Sequence, residues 1–335
     1  GSSPVRQVLL TAMRTSRLFS VIDSHTAGHP TRTVISGIPP LRGHSVREQR
    51  DDFRAVHDGL RGLLLHEPRG HAAMVAAVPV PSRDADQGLF FISSYVYLDM
   101  CGHATIGYIA SLAATGALPQ GFEQTGMSIE TPAGIVHVTG TFEAGQLTSV
   151  VLRNVPSYLA SADVAVEIDG LGKVTCDIAY GGIMYALVDA SQVDLPFDID
   201  HASRWCHAGV AIKQGLNSAS GHLQVGSVLF HRAIVGGARH LVILASNKFD
   251  RSPCGTGTSA RLAQLHARGE LATGAPYRAE NILGVPFAAK VAELAQGKDG
   301  QPAVIPEVRG MAHISAFSTL VLEADDPLSA GFLPG

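Results

Sequence analysis

The chain has 335 residues, of which 46% are hydrophobic and only 16% charged. That length and composition exclude a disordered chain and a small fold held by disulfides, and they allow one large domain or two ordinary ones. The formal net charge is -4, from 25 basic and 29 acidic side chains that form no long run of one sign. We therefore expect neither nucleic acid nor a membrane as a partner.

The strands predicted from short apolar runs follow one another along most of the chain. In chain order these runs cover residues 18–23, 76–80, 89–92, 127–130, 134–139, 148–153, 183–188, 225–230, 240–244 and 318–322. No apolar run approaches the roughly 18 to 20 residues of a membrane-spanning helix. The segment up to residue 17 lacks the pattern of a secretory signal. These features predict a soluble, cytoplasmic protein.

Two segments of the chain resemble each other and indicate an internal duplication. Residues 101–118 (CGHATIGYIASLAATGAL) and 254–271 (CGTGTSARLAQLHARGEL) match at 8 of 18 positions, without a gap, at a constant offset of 153. Each copy begins with Cys-Gly after an apolar run, continues with helical spacing of apolar residues, and has a glycine, Gly116 or Gly269, where a helix would end. The repeat predicts two related units of about 150 residues.

This pattern favours an α+β fold with two pseudo-symmetric halves. The duplicated helices are rich in Ala and Gly and have little polar surface, which is typical of a helix buried by sheet. We predict that each half is a curved, mostly antiparallel sheet around its central helix. The predicted bounds are 18–155 for the first half, 156–310 for the second, and 311–335 for a C-terminal segment that returns to the first half.

The two cysteines of the repeat, Cys101 and Cys254, are candidates for chemistry. A helix start has unpaired backbone N–H groups and the positive end of the helix dipole, which together lower a thiol pKa and bind carboxylates. Two such starts facing each other would place one thiol on each face of an α-carbon, as inversion by proton transfer requires. The other two cysteines, Cys176 and Cys206, lack this pattern and are predicted to be structural.

The motifs MCGHATIG (100–107) and DRSPCGTGTSAR (250–261) resemble the proline racemase family, which includes 4-hydroxyproline 2-epimerases and trans-3-hydroxyproline dehydratases. The similarity extends to DSHTAGHPTR (23–32), EPRGHAAM (67–74) and AVIPEVRGMAHI (303–314), and it covers nearly the whole chain after residue 17. The resemblance implies a diaminopimelate-epimerase-like fold, with the active site in the cleft between the halves and no cofactor.

The resemblance also assigns roles to individual residues. It makes Cys101 and Cys254 the two acid–base residues, and it places Asp250 and His103 against the ring nitrogen of a cyclic imino acid. A metal is not expected, because the fifteen histidines lack the spacing of metal ligands in the sequence.

The carboxylate of the substrate would be held by backbone groups at the two helix starts. The residues implied are Gly102, His103, Gly255 and Thr256.

We therefore predict a cofactor-independent isomerase that inverts carbon 2 of an imino acid, with 4-hydroxyproline 2-epimerase as the first choice. Proline racemase and trans-3-hydroxy-L-proline dehydratase remain open, although the dehydratases carry threonine where this chain has Cys254. A non-catalytic imino acid binding protein and a redox switch are further alternatives. A homodimer is expected from the family.

The polar residues of the motif DSHTAGHPTR are not assigned to the active site. His25, His29 and Arg32 lie in DSHTAGHPTR, and we interpret them as polar residues of a turn between strands rather than as part of the site.

Overall fold

The computed structural model describes residues 15–219, 223–298 and 300–334. Most of the N-terminal segment in which we predict no secretory signal, residues 1–14, lies outside the described residues. The described residues form eighteen strands, numbered in chain order: β1 (Thr15–Thr26), β2 (His29–Ser36), β3 (Val75–Val80), β4 (Gln87–Ser93), β5 (Tyr97–Leu98), β6 (Met127–Thr131), β7 (Gly134–Glu143), β8 (Gln146–Arg153), β9 (Tyr158–Ile168), β10 (Gly172–Tyr180), β11 (Met184–Asp189), β12 (Ser227–Ile234), β13 (Gly237–Ile243), β14 (Phe249–Asp250), β15 (Tyr277–Glu280), β16 (Pro286–Gln296), β17 (Pro302–Gly310) and β18 (Ala312–Glu323). The α-helices of the same residues are α1 (Val46–His57), α2 (Gly59–Leu65), α3 (Gly102–Ala114), α4 (Phe122–Thr125), α5 (Ala202–Ser218) and α6 (Gly255–Ala267).

The strands repeat one pairing scheme twice. The first half has the order β18-β1-β2-β3-β4-β6-β7-β8, and the second has β9-β10-β11-β12-β13-β15-β16-β17, with β5 and β14 added to β4 and β13. The parallel pairs are also equivalent, because β2–β3 and β4–β6 correspond to β11–β12 and β13–β15. The halves join where β8 pairs with β17. This confirms the predicted α+β fold of two pseudo-symmetric, mostly antiparallel halves.

The duplicated helices, α3 and α6, each lie within one half, as predicted. Residues 102–111 of α3 are all buried, and so are nearly all residues of α6 from 255 to 265. Gly116 and Gly269 follow the two helices with φ of +68° and +73°. Glycine adopts this left-handed conformation without the steric penalty of a Cβ atom, so it ends both helices at the predicted positions.

Each of the ten predicted apolar runs overlaps a strand. Several strands extend beyond the predicted run, and others begin one to three residues before or after it. Strands such as β9, β10 and β16 were missed, because their outer faces are polar and their apolar runs are short. The predicted bounds of the halves stay predictions. Within the predicted C-terminal segment, β18 pairs with β1 of the first half.

Crossing a bilayer would need a longer and more apolar helix than any that the described residues form.

The motif DSHTAGHPTR is more than a turn, because its buried arginine forms an ion pair with a partly buried aspartate. Arg32 lies on β2 opposite Asp23 of β1, and its Nε and Nη2 atoms are 2.8 and 2.7 Å from the two carboxylate oxygens. It also donates to the carbonyls of Leu64 and Arg69, at 2.5 and 2.7 Å. Interpreting Arg32 as an ordinary turn residue was therefore wrong, since it connects β1 and β2 to α2 and to the segment after it.

We expect Arg32→Ala to lower the free energy of unfolding by about 3 kcal/mol, because it leaves the Asp23 carboxylate and two carbonyls without their donor. Urea unfolding would measure the difference. The double variant with Asp23→Ala should lose less than the sum of the two single changes. A loss below about 1 kcal/mol for Arg32→Ala would contradict a stabilising role for the pair.

Candidate active site

The starts of the two central helices touch each other. A Cβ atom built on Gly102 would lie 3.0 Å from the Cα of Gly255, and one built on Gly255 would lie 3.1 Å from the Cα of Gly102. Such contacts are tighter than nine in ten real Cβ contacts, and the neighbouring atoms are backbone, so glycine is favoured at both positions. The glycine that follows each cysteine in the repeat therefore lets the two helix starts, one from each half, meet.

A cavity lies where the helix starts meet. It is narrow, with a volume of about 30 Å³ for the centres of water-sized spheres, and all seven predicted site residues line it. Its wall is formed by Val75, Ser93, Val96, Leu98, Met100, Cys101, Gly102, His103, Ile183, Tyr185, Ser227, Leu244, Ala245, Ser246, Asp250, Cys254, Gly255 and Thr256. Both halves contribute to the wall. Cys176 and Cys206 do not line the cavity. All four cysteines are free thiols.

Cys101 immediately precedes α3 and is 5% exposed. Its Sγ lies 3.4 Å from Nδ1 of His103. Its backbone is extended, with φ of -148°.

Cys254 occupies the equivalent place before α6 but differs in conformation. Its φ is +66°, in the left-handed region that residues other than glycine rarely adopt. Its Sγ accepts the Gly257 N–H at 3.3 Å and lies 3.3 Å from the Tyr185 hydroxyl. The two thiols are therefore equivalent in the repeat but have different hydrogen-bond partners.

The thiol pKa values are opposite to the sequence-based expectation. The pKa of Cys101 is raised well above its ordinary value and that of Cys254 to about 12, mainly by burial and in part by the negative charge of Asp250. Backbone N–H groups of Ala104 and Gly257, in the first turn of each helix, lower the two values. The helix start thus acts as expected, but desolvation in the closed cavity outweighs it.

Asp250 is a buried carboxylate held by neighbours from both halves. Burial alone would raise its pKa, but His29 and the Ser252 N–H hold the pKa of this carboxyl below its ordinary value. His29 Nδ1 lies 3.1 Å from Asp250 Oδ1, and the His29 ring packs edge-on against His103 with ring centroids 4.3 Å apart. Burial lowers the pKa of His103 to about 3, so its imidazole is neutral. The cavity therefore has one negative side chain, suited to a substrate cation.

Backbone N–H groups are available at both helix starts. In α3, the first backbone N–H that donates to a carbonyl of the helix is that of Thr105, which lies 3.0 Å from Cys101 O. In α6 it is that of Thr258, which lies 2.8 Å from Cys254 O. The amides that precede them in each first turn have no carbonyl acceptor within the helix. Such groups can hold an anion.

Sequence reasoning missed three polar residues of the site. Tyr185 lies in the predicted strand 183–188 but had no assigned role, and its hydroxyl lies 2.7 Å from Thr256 Oγ1. Ser227, at the start of β12, carries no motif. His29, interpreted as a turn residue, is 1% exposed. Each lies far along the chain from the residues it contacts, so local sequence patterns gave no signal.

One cluster of side chains could hold a metal ion. Within the described residues, donor atoms of His29, His103 and Asp250 all lie within 4.8 Å of one another. Metal-ligand spacing in the sequence is a local criterion, and it does not detect ligands that β2, α3 and β14 bring together. The absence of a metal stays a prediction.

Comparison with known proteins identifies the family. A family model described as proline racemase matches residues 21–333. The chain belongs to the proline racemase family. Named relatives include the 4-hydroxyproline 2-epimerase of Streptosporangium roseum, 39% identical over 96% of this chain and 100% of the relative. The proline racemase of Clostridioides difficile is 36% identical over 96% and 99%.

Solved structures of the proline racemase family have the same fold. The hydroxyproline epimerase of Agrobacterium vitis, with bound trans-4-hydroxy-L-proline, superposes with a TM-score of 0.88 at 30% identity, covering 96% of this chain and 97% of the other. A phenazine biosynthesis protein of the PhzF family from Bacillus anthracis, at 12% identity and a TM-score of 0.55 over 91% and 100%, shares the fold alone. The diaminopimelate-epimerase-like fold is confirmed, and so is an enzyme of the isomerase class.

Proposed function

We propose that this protein is a 4-hydroxyproline 2-epimerase that inverts carbon 2 between trans-4-hydroxy-L-proline and cis-4-hydroxy-D-proline, using Cys101 and Cys254 as acid and base. The observation that carries the proposal is the contact between the two Cys-Gly helix starts at a single cavity. Relatives named 4-hydroxyproline 2-epimerase, and the Agrobacterium vitis structure with bound trans-4-hydroxy-L-proline, support the choice of substrate.

The reaction needs one thiolate and one thiol. The thiolate takes the proton from carbon 2 on one face as the carbon–hydrogen bond breaks, and the opposite thiol gives its proton to carbon 2 on the other face. The product carries one new carbon–hydrogen bond, and the two sulfurs have exchanged protonation states, so the reverse reaction uses them in the opposite roles.

The other site residues bind and orient the substrate. Asp250 accepts a hydrogen bond from the ring ammonium, with neutral His103 beside it. The N–H groups at the starts of α3 and α6, from Gly102, His103, Gly255 and Thr256, hold the carboxylate and stabilise the negative charge that develops when the proton leaves carbon 2.

Incubation with each imino acid in deuterium oxide tests the proposal. Inversion with deuterium at carbon 2 of 4-hydroxyproline is the expected result. Formation of a pyrroline from trans-3-hydroxy-L-proline would identify a dehydratase, and binding without exchange at carbon 2 would identify a binding protein. Proline racemase is the second candidate, because the remaining wall of the cavity is largely apolar. Inversion of proline in preference to 4-hydroxyproline would support that candidate.

We expect kcat/KM to rise with pH, by about tenfold per unit, from neutral pH to about pH 9. The base must be a thiolate, and the pKa of both thiols is raised by burial. Below a raised pKa the thiolate fraction is small and increases with pH, so activity is gained on the alkaline side. Initial rates in buffers of constant ionic strength would measure the profile. A flat profile across this range would contradict a thiolate base with a raised pKa.

A cytoplasmic location and a homodimer are further parts of this proposal. The cytoplasm is reducing, and the reaction requires both thiols reduced. Sedimentation of the full chain would test the dimer.

A further inference from the structure

The backbone at Cys254 needs support from outside the cavity. Its φ of +66° lies in the left-handed region, which is unfavourable for a residue with a Cβ atom and persists only where the surroundings fix it. Cys101, the equivalent residue of the first half, has an extended backbone with φ of -148°. The duplication therefore does not account for this conformation, and neighbours particular to the second half must hold it.

The peptide bond between Pro253 and Cys254 is held at both of its polar atoms. The Pro253 carbonyl oxygen lies 3.1 Å from Nδ1 of His240 on β13, and the Cys254 N–H donates to Ser252 Oγ at 3.0 Å. Thr258 Oγ1 donates to the same carbonyl over a longer distance of 3.4 Å. The angle φ is the rotation between a planar peptide and the Cα atom that follows it. Fixing this peptide on one side and α6 on the other therefore sets the φ of Cys254.

His240 is a neutral donor to this peptide. Its side chain is buried, with 1% of the residue exposed, and burial lowers its pKa to about 3. A carbonyl oxygen can only accept, so Nδ1 carries the hydrogen and donates to Pro253 O. Nε2 then accepts from the Tyr277 hydroxyl, 3.1 Å away. His240 is not among the residues that line the cavity, so it acts on the backbone before the cysteine and not on the substrate.

We propose that His240 is a positioning residue, which holds the peptide bond before Cys254 and thereby aims the Cys254 thiol at the substrate. This inference rests on the proposed function. In the observed conformation, Sγ accepts the Gly257 N–H and lies beside the Tyr185 hydroxyl, each at 3.3 Å. Both hydrogen bonds lower the pKa of the thiol. A peptide that is free to turn would let Sγ leave both donors, whereas Cys101 would keep its place.

The test compares His240→Leu with His240→Asn. Leucine and asparagine have the same branched shape, but only asparagine can donate, from a nitrogen bonded to Cγ as Nδ1 is in histidine. We expect His240→Leu to lower kcat by about tenfold or more and to change KM by less than about twofold, because the binding groups stay in place while one thiol is displaced. His240→Asn should keep kcat within about threefold of wild type, because it restores the donor.

Alkylation of the free protein by iodoacetamide provides a second measurement, with mass spectrometry to separate the two cysteines. The rate at Cys254 relative to that at Cys101 should fall by about threefold or more in His240→Leu, because the Cys254 thiolate loses its hydrogen bonds. His240→Asn should keep the wild-type ratio. A general loss of stability would not act on one of the two thiols alone.

Two further variants control for effects on folding. Tyr277→Phe removes the partner of Nε2 and leaves the N–H at Nδ1, so it should lower Tm and keep both kcat and the alkylation ratio. Ser252→Ala releases the N–H of the same peptide and should reproduce both effects of His240→Leu. It takes the place of that variant if His240→Leu does not fold.

The outcomes separate this inference from the proposed function. The positioning role is overturned if His240→Leu keeps kcat and the alkylation ratio, if His240→Asn loses as much as His240→Leu, or if Tyr277→Phe shows the same losses. If the wild-type protein inverts neither imino acid, the proposed function fails. The alkylation ratio needs no substrate, so it tests the hold of His240 on Cys254 in either case.

Discussion

Replacing either Cys101 or Cys254 by serine should lower the rate of inversion by about 10³-fold. A serine hydroxyl stays protonated at any pH where the protein is folded, so each variant lacks a base on one face of carbon 2 and a suitable acid on that face in the reverse direction. Polarimetry would follow inversion, and proton NMR in deuterium oxide would follow exchange at carbon 2.

The matched control is Cys206→Ser, which makes the same atomic change on α5, outside the cavity lining. It should keep the wild-type rate of inversion. Full inversion by either of the other two serine variants would rule out the two-thiol mechanism, and binding of 4-hydroxyproline with no exchange in any variant or in the wild type would favour a binding protein.

Asp250→Asn should lower kcat/KM by roughly 10- to 100-fold, mainly through KM, because the substrate ammonium loses its only negative partner in the cavity lining. The same change should move the alkaline rise in activity to lower pH. Asp250 raises the pKa of both thiols, so removing its charge lowers their pKa and increases the thiolate fraction at a given pH.

This shift of the pH profile distinguishes a charge in the site from a residue that only maintains the fold. The control is Asp177→Asn, which also removes a buried carboxylate, but one paired with Arg268 outside the cavity lining. It should lower the free energy of unfolding without moving the profile. An unchanged KM and an unchanged profile in Asp250→Asn would contradict the assigned role.

Much of this site could be predicted because its central feature is local and occurs twice. A strand, a Cys-Gly pair, a helix with small residues and a closing glycine follow one another within about 30 residues in each half. Turn, helix-start and helix-end preferences act over such short distances. The repeat itself then indicated that Cys101 and Cys254 are equivalent, which a single copy would not have done.

The remaining features depend on contacts between distant parts of the chain. Ser227 joins the site through the pairing of β11 with β12, and His29 joins it because β2 lies near Asp250 of the other half. The direction of the thiol pKa shifts is also a tertiary property. The helix starts are visible in the sequence, but the degree of burial that outweighs them is set by how the two halves close around the cavity.

The pairing of β18 with β1 has a consequence for biosynthesis. The strand that completes the N-terminal sheet is the last of the eighteen described strands to be translated. Until it emerges from the ribosome, the nascent first half has an unpaired sheet edge along β1, and such an edge can pair with other chains. The sheet of the first half can therefore be completed only after β18 has been translated, and β18 follows all the strands of the second half in the chain.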